Sequence, residues 1–187
     1  MSKKYISFSK PLIGSDEKKQ ISKVIDTGWL TTGKKTKLFE NKFKNYKNSK
    51  YALALNSCTA ALHLSLKLLN LKKNDEVITS ALTFSSTVNS IIMSGAKPVL
   101  ADVELNTLNI DPEEIEKKIT KQTKAIIIVH FAGRPCDMKK ILKIVRKYKI
   151  KLIEDCAHSI ESKFNGKHLG TFGDFGCFSF YATKNLS

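Results

Sequence analysis

The chain has 187 residues, of which 42% are hydrophobic and 26% are charged, a size and composition that fit one folded domain and exclude a disordered, collagen-like or disulfide-stapled chain. No uninterrupted apolar run is longer than that from Ala125 to Val129, which is far shorter than the roughly 20 residues that cross a bilayer, so no membrane partner is expected. The formal net charge of +15 at pH 7 suits an anionic partner, either a small substrate or a nucleic acid.

Apolar spacing and turn residues predict an alternation of helices and strands. In chain order, the pattern first predicts helix 18–26 after a cap at 15–17, a glycine loop at 28–33, helix 38–46, strand 51–55 and helix 60–69. It then predicts strand 77–80, helix 85–93, strand 99–102, a helix starting at 111–114 and strand 124–130. The last predicted elements are a helix from a cap at 137 to 148, strand 151–155, a glycine-rich segment at 166–176 and strand 177–181.

Strands joined by crossover helices indicate an α/β protein with a mostly parallel sheet. The isoleucine-rich strand at 124–130 fits a strand that is covered on both faces. The chain stops a few residues after the last predicted strand, without a closing helix. We therefore expect this sheet to belong to a truncated domain.

The basic residues are thirty lysines and only two arginines, Arg134 and Arg146. Arginine is the usual residue for bidentate recognition of phosphates and bases, and the sequence contains no known nucleic-acid-binding motif. Solvated, lysine-rich helix faces are therefore the favoured interpretation. A basic nucleic-acid-binding module is the distant alternative.

The four cysteines are Cys58, Cys136, Cys156 and Cys177. No pair has CxxC spacing, so the sequence predicts neither a zinc site nor a redox site, and no metal is expected. These residues are interpreted as small, buried hydrophobic side chains in a reducing cytoplasm.

Polar residues follow several predicted strands, at the edge where ligands bind open α/β sheets. Cys58 and Thr59 lie at the start of a helix, whose free backbone N–H groups could hold a phosphate. Asp155 ends a strand, and His158 follows three residues later. Each residue alone has a common structural explanation, a helix cap or a satisfied histidine. Together they could form a charged anchor beside a proton-tuning group.

Lys184 follows the aromatic-rich stretch from Phe178 to Tyr181, which could desolvate its amine and make it a nucleophile. Ser179 in that stretch could donate to a phosphate, and Phe84 after another strand could supply an aromatic face. A lysine, a carboxylate, a phosphate cup and an aromatic face are the groups that pyridoxal 5'-phosphate requires.

With these motifs the sequence resembles the DegT/DnrJ/EryC1/StrS family of pyridoxal-phosphate-dependent sugar aminotransferases. The matching segments are 28–33, 56–64, 83–89, 154–159 and 170–185, in the family's order and spacing. The last segment, GTFGDFGCFSFYATKN, is the most specific. The resemblance implies a three-layer α/β fold, the large domain of the aspartate-aminotransferase-like enzymes of fold type I.

The resemblance also implies a role for each residue that contacts the cofactor ring. Lys184 would bind the cofactor covalently and later move a proton. Asp155 would pair with the ring nitrogen, His158 would lie on the side of the ring oxygen, where many relatives carry glutamine, and Phe84 would stack on the ring.

Further residues are implied for the phosphate and the substrate. Ser179 would bind the phosphate together with the turn at Cys58 and Thr59, through backbone groups at position 58 because many family members have glycine there. Trp29 and Thr31 would lie on the substrate side.

The implied reaction is the transamination of a nucleotide-linked keto-sugar to an amino-sugar, with glutamate as the usual donor, in cytoplasmic synthesis of surface glycans. Relatives that act as sugar dehydratases replace the lysine, so Lys184 favours the aminotransferase branch. Family members are about twice this length and form homodimers in which the partner completes the phosphate site.

We therefore predict an N-terminal helical segment with an active-site loop at 1–50 and an incomplete cofactor-binding large domain at 51–187, without the small C-terminal domain. The alternative is a non-catalytic product, either a truncated remnant or one half of a split gene.

Overall fold

The computed structural model describes Ile6 and residues 9–186. The helices are α1 (Ser15–Asp26), α2 (Lys34–Lys47), α3 (Cys58–Lys67), α4 (Ser85–Ser94), α5 (Pro112–Lys118) and α6 (Met138–Tyr148), with a 3-10 turn at Phe131–Gly133. The strands are β1 (Glu76–Ser80), β2 (Lys97–Ala101), β3 (Thr123–Val129), β4 (Lys151–Asp155), β5 (Lys163–Phe164), β6 (Lys167–His168) and β7 (Phe175–Cys177).

Five of the strands form one sheet in the order β2-β1-β3-β4-β7. Every neighbouring pair in this sheet is parallel, which confirms the predicted α/β class. The crossover helices α4 and α5 lie on opposite faces of the sheet. The chain moves from β1 outward to β2 and then back across to β3, so the winding direction changes between β1 and β3. Open α/β sheets bind ligands at the carboxyl ends of the strands that flank such a point.

Helices cover both faces of the sheet, so the three-layer architecture is confirmed. Along β3, Ala125 and Ile127 face α3 and α4, whereas Ile126 and Ile128 face α5 and α6. This alternation follows from the two-residue period of a strand. Both faces are apolar because a central parallel strand is buried on each side.

The predicted helix start at 111–114 and the predicted cap at Asp137 are confirmed. Asp111 accepts a hydrogen bond from the N–H of Glu113 at 2.8 Å, and Pro112 occupies the first helical position. Asp137 accepts from the N–H of Lys140 at 3.0 Å. Such caps bind N–H groups that the first turn of a helix leaves without acceptors.

The predicted strand at 51–55 is wrong, because these residues form no strand. The N–H of Ala54 donates to the Glu40 carboxylate of α2 at 3.0 Å, and Tyr51 and Leu53 are exposed. The Glu40 side chain thus binds the backbone N–H of Ala54, where pairing with a neighbouring strand was expected. At α1 the cap is Gly14, one residue before the predicted cap.

The last strand ends at Cys177, four residues before the predicted end at Tyr181. Beyond it the chain leaves the sheet because Phe178 and Phe180 pack edge-on against Phe43 of α2, at ring-centroid distances of 5.0 and 5.6 Å. The aromatic side chains of Phe178 and Phe180 thus pack against a helix, and the segment does not continue the strand.

The sequence prediction also missed the hairpin formed by β5 and β6. Its turn residues, Asn165 and Gly166, have φ values of 48° and 79°. An Asn-Gly pair is the strongest short-range signal for such a turn, so the hairpin was readable from the sequence.

The helices before residue 50 lie outside the layered core. α1 has no buried residue, and α2 is attached through phenylalanine rings and Lys47. The division at residue 50 stays a prediction. None of the helices among the described residues has the length and apolar character needed to cross a membrane.

Candidate active site

Most of the residues singled out from the sequence lie at the carboxyl edge of the parallel sheet. Phe84 follows β1, Asp155 ends β4, and Ser179 and Lys184 follow β7. His158 lies in the turn after β4. The topology therefore brings together side chains that are up to 100 residues apart in sequence.

Asp155 is buried and held by two donors. Its Oδ2 accepts from Thr87 Oγ1 at 2.9 Å, and its Oδ1 accepts from the N–H of Ala157 at 3.1 Å. Burial raises the pKa of this carboxyl, and the two hydrogen bonds act against the rise. Among the described residues no lysine, arginine or histidine forms an ion pair with Asp155, so the site presents a buried carboxylate without a counter-ion.

Lys184 and His158 are in direct contact, with 3.0 Å between Nζ and Nε2. Burial and the neighbouring Lys184 charge lower the pKa of His158. A neutral imidazole has a lone pair at one ring nitrogen. His158 can therefore accept a hydrogen bond from the Lys184 amine and orient that amine.

Phe84 supplies an uncovered aromatic face at this edge. It precedes α4 as the N-cap residue, and 77% of the residue's surface is exposed. Large aromatic rings usually pack against other side chains in a folded protein. This ring is available to stack on a flat ligand.

The groups suited to a phosphate come from two segments. Ser57 caps α3 by accepting from the N–H of Ala60 at 3.1 Å, which leaves the N–H groups of Cys58 and Thr59 without an acceptor inside the helix. Cys58 interacts electrostatically with Asp155, and burial raises the pKa of its thiol, so that thiol stays neutral. Within the described residues, Ser179 Oγ accepts a 3.3 Å bond from the N–H of Tyr181 and donates none, so its proton can be directed to a ligand.

The structure does not bring Trp29 and Thr31 to these residues. Trp29 Nε1 donates to the carbonyl of Thr32 at 3.0 Å, within its own loop, and both Trp29 and Thr31 are exposed. Their substrate role stays a prediction.

Glu154, which sequence reasoning passed over, lies on the other face of β4 in a dense network. Its carboxylate accepts from the N–H groups of Gly170, Phe172 and Gly173 at 2.7 to 2.8 Å and from His130 Nε2 at 3.1 Å. Burial opposes the charge, but these hydrogen bonds outweigh burial and lower the pKa of Glu154. The sequence signal that could have revealed Glu154 was its position next to Asp155 at the end of a predicted strand.

Glu154, His130 and Cys156 lie close enough to hold a metal ion, but the ligand atoms of Glu154 and His130 are already engaged in hydrogen bonds. His130 Nδ1 accepts from the N–H of Cys136 at 3.2 Å, which leaves Nε2 to carry the proton donated to Glu154. Four N–H donors then surround the carboxylate, and a cation would meet their positive ends. The network ties β4 to the loop that leads into β7.

Lys47 was also missed, and it fixes the segment that carries Ser179. Only 2% of its surface is exposed. Its Nζ donates to the carbonyl of Ile160 at 2.9 Å and lies 4.4 Å from the centre of the Phe178 ring. A desolvated cation over an aromatic ring is stabilised by the ring's negative face.

Comparison with known proteins identifies the family. The DegT/DnrJ/EryC1/StrS aminotransferase family model matches residues 11–187. The chain belongs to this family. It is 52% identical over 178 residues to the uncharacterized protein MJ1066 of Methanocaldococcus jannaschii, covering 95% of this chain and 46% of that protein.

Two further matches are a polysaccharide biosynthesis protein and a protein solved in its PLP form. The spore coat polysaccharide biosynthesis protein SpsC of Bacillus subtilis is 46% identical over 183 residues, covering 98% of this chain and 47% of SpsC. Spr1654 of Streptococcus pneumoniae, solved in its PLP form, superposes with a TM-score of 0.94 at 35% identity, covering 97% of this chain and 50% of that chain. The chain spans about half the length of the curated relatives it matches.

Proposed function

We propose that this chain forms the cofactor-binding half of a pyridoxal-phosphate-dependent sugar aminotransferase. One observation carries the proposal: a buried carboxylate without a counter-ion, an exposed aromatic ring and a histidine-bound lysine amine meet at one edge of the sheet. These three groups match pyridoxal phosphate, which has a basic ring nitrogen for the carboxylate, a flat ring for the aromatic face and a reactive aldehyde for the amine. The family membership and the PLP form of Spr1654 support the assignment.

Each residue has a role that follows from its position. Asp155 would keep a proton on the ring nitrogen, Phe84 would stack on the ring, and Lys184 would bind the aldehyde carbon and move protons at the reacting carbon. His158 would orient the Lys184 amine through the 3.0 Å contact. When bound, the cofactor supplies an electron sink for a carbanion.

The phosphate would be held by the first N–H groups of α3, at Cys58 and Thr59, and by the Ser179 hydroxyl. Exposed N–H groups at a helix start favour an anion, since the helix dipole is positive there. Lys184 also interacts electrostatically with Cys58, which supports a phosphate subsite close to the aldehyde subsite.

For the substrate we propose a nucleotide-linked keto-sugar that receives its nitrogen from glutamate, in the synthesis of a surface polysaccharide. The polysaccharide role of SpsC supports the sugar class, and the net charge of +15 suits a phosphorylated sugar. We place the reaction in the cytoplasm, where the four free thiols stay reduced.

We also propose that the full-length protein is a homodimer. The outer faces of α3 and α4 expose Leu64, Leu68, Ile92 and Met93, and an apolar patch of this kind is typical of an interface. Sedimentation analysis of the full-length protein tests this; a monomer at micromolar concentration contradicts it.

Reductive trapping tests the cofactor assignment. The chain is incubated with pyridoxal phosphate, reduced with borohydride and mapped by mass spectrometry. We expect one label per chain at Lys184, no label in Lys184→Ala, and full labelling in the control Lys163→Ala, which removes an exposed lysine of β5. Labels scattered over many lysines contradict an organised site.

Spectroscopy then tests the reaction. Glutamate should convert the bound aldehyde form to the amine form, with a shift of the absorption band, and a nucleotide keto-sugar should reverse the shift. Conversion by another amino acid only would reassign the donor. Stable labelling at Lys184 without conversion by any donor would favour the non-catalytic alternative.

A further inference from the structure

Two threonine hydroxyls form a chain that ends on Asp155. Thr83 Oγ1 donates to Thr87 Oγ1 at 2.8 Å, and Thr87 Oγ1 donates to Asp155 Oδ2 at 2.9 Å. A hydroxyl has a single proton and two acceptor positions. Because an ionised carboxylate only accepts, the direction of the chain is fixed from Thr83 through Thr87 to Asp155.

Both threonines belong to the turn that carries Phe84. Thr87 is fully buried in the first turn of α4, and its N–H donates to the carbonyl of Phe84 at 3.0 Å. One turn of chain thus sets both the exposed ring and the hydroxyl that holds the carboxylate. The N–H of Ala157 holds the other oxygen at 3.1 Å, so the orientation of the Asp155 carboxylate is defined from two sides.

We propose that Thr87, supported by Thr83, is a positioning residue that keeps the Asp155 carboxylate ionised and correctly oriented for the cofactor's ring nitrogen. The part that concerns the ring nitrogen rests on the function proposed above. Hydrogen bonds to the charged form of a group favour that form. Without the Thr87 hydroxyl, the burial of Asp155 would favour a protonated carboxyl, which cannot hold a proton on the ring.

Other titratable groups also act on Asp155. The imidazoles of His158 and His130 favour its charge, and the thiols of Cys58 and Cys177 interact with it electrostatically, as does that of Cys156. A threonine substitution leaves all five groups in place. The effect of the hydroxyl can therefore be separated from theirs.

The first test measures the Asp155 titration in the cofactor-free chain by NMR of 13C-labelled aspartate. In Thr87→Val we expect the pKa of Asp155 to rise by about one to two pH units, the size expected for a lost hydrogen bond to a charged group. Thr83→Val should give a smaller rise, and Thr87→Ser should restore the wild-type value.

The matched control is Thr79→Val. Thr79 is also fully buried, but its hydroxyl donates to the carbonyl of Ile127 at 2.9 Å, away from Asp155. We expect no change in the Asp155 titration. An unchanged pKa in both Thr87→Val and Thr83→Val, or an equal rise in Thr79→Val, would overturn the proposal. Should Thr87→Val fail to fold, the Thr83→Val and Thr87→Ser values decide.

The second test measures the affinity for pyridoxal phosphate and the pH profile of its absorption. Thr87→Val should bind about tenfold more weakly, whereas Thr79→Val should bind as the wild type does. Wild-type affinity in Thr87→Val would overturn the cofactor part of the proposal. Failure of the proposed function would look different, because the wild-type chain would then not be trapped at Lys184 while the Asp155 titration still responded to Thr87.

Discussion

Glu154 and Asp155 are neighbours on β4 but face opposite sides of the sheet. On one side, three backbone N–H groups and His130 surround Glu154. On the other side, Thr87 and the N–H of Ala157 are the hydrogen-bond donors to Asp155. Both carboxylates are buried, yet the pKa of Glu154 is lowered and that of Asp155 is raised.

The difference separates a structural carboxylate from a functional one. A buried charge is stabilised when enough donors replace the water it has lost. Glu154 has those donors within the chain, so it stabilises the fold. Asp155 has fewer, and it gains most from a positively charged group that binds from outside.

The largest expected effect is that of Glu154→Gln on stability. The amide has one acceptor oxygen and a group that donates, so several of the four donors would lose their acceptor. We expect the free energy of unfolding to fall by about 3–5 kcal/mol, measured by urea unfolding followed by circular dichroism. The exposed neighbour Glu161→Gln should change it by under about 0.5 kcal/mol, and equal losses in both variants would contradict the assignment.

Asp155→Asn should have the opposite profile. We expect stability to stay within about 1 kcal/mol of the wild type, and the affinity for pyridoxal phosphate to fall about 10- to 100-fold, because a charge-assisted hydrogen bond to the ring nitrogen is lost. Equilibrium titration by absorption measures this. Asp102→Asn, at the carboxyl end of β2 and exposed, is the control, and a similar loss there would remove the special role of Asp155.

The two carboxylates should also respond oppositely to pH. The pKa of Glu154 is lower in the folded chain than its unfolded value of about 4.3, so its ionised form stabilises the fold above that pH. This contribution is lost as pH falls through the folded pKa. The stability advantage of wild type over Glu154→Gln should therefore shrink in acid. A raised folded pKa destabilises as pH rises above about 3.9, so wild type should lose stability relative to Asp155→Asn between that pH and neutrality. Unfolding at pH 3.5, 5 and 7 measures both differences, and parallel trends would refute the comparison.

The smallest expected effect is that of Phe84→Ala. Because the ring is exposed, the free energy of unfolding should change by under about 0.5 kcal/mol, while the cofactor affinity should fall about 3- to 10-fold through the lost stacking. Tyr51→Ala removes another exposed ring and should change neither quantity. A destabilisation above about 2 kcal/mol would mean that Phe84 is a packing residue.

Much of the fold was predictable because strong local signals agreed with the tertiary structure. β4 was predicted with its observed ends, and the caps Asp111 and Asp137 bind the N–H groups expected of them. The strand predicted at 51–55 was wrong because no segment in the described part of the chain pairs with it, and the Glu40 side chain instead accepts the N–H of Ala54. Local pattern cannot reveal such a partner.

The sequence by itself determined the α/β class, through its alternating periodicities, and the family, through motifs whose order and spacing are specific. It also indicated which residues carry reactive groups, since an amine or a carboxyl group is a property of the residue type. Only the tertiary structure decided how Glu154 and Asp155 divide their roles, because the pleat places adjacent side chains on opposite faces and the donors come from distant segments. The link from Thr83 through Thr87 to Asp155 likewise exists only where α4 packs against the end of β4.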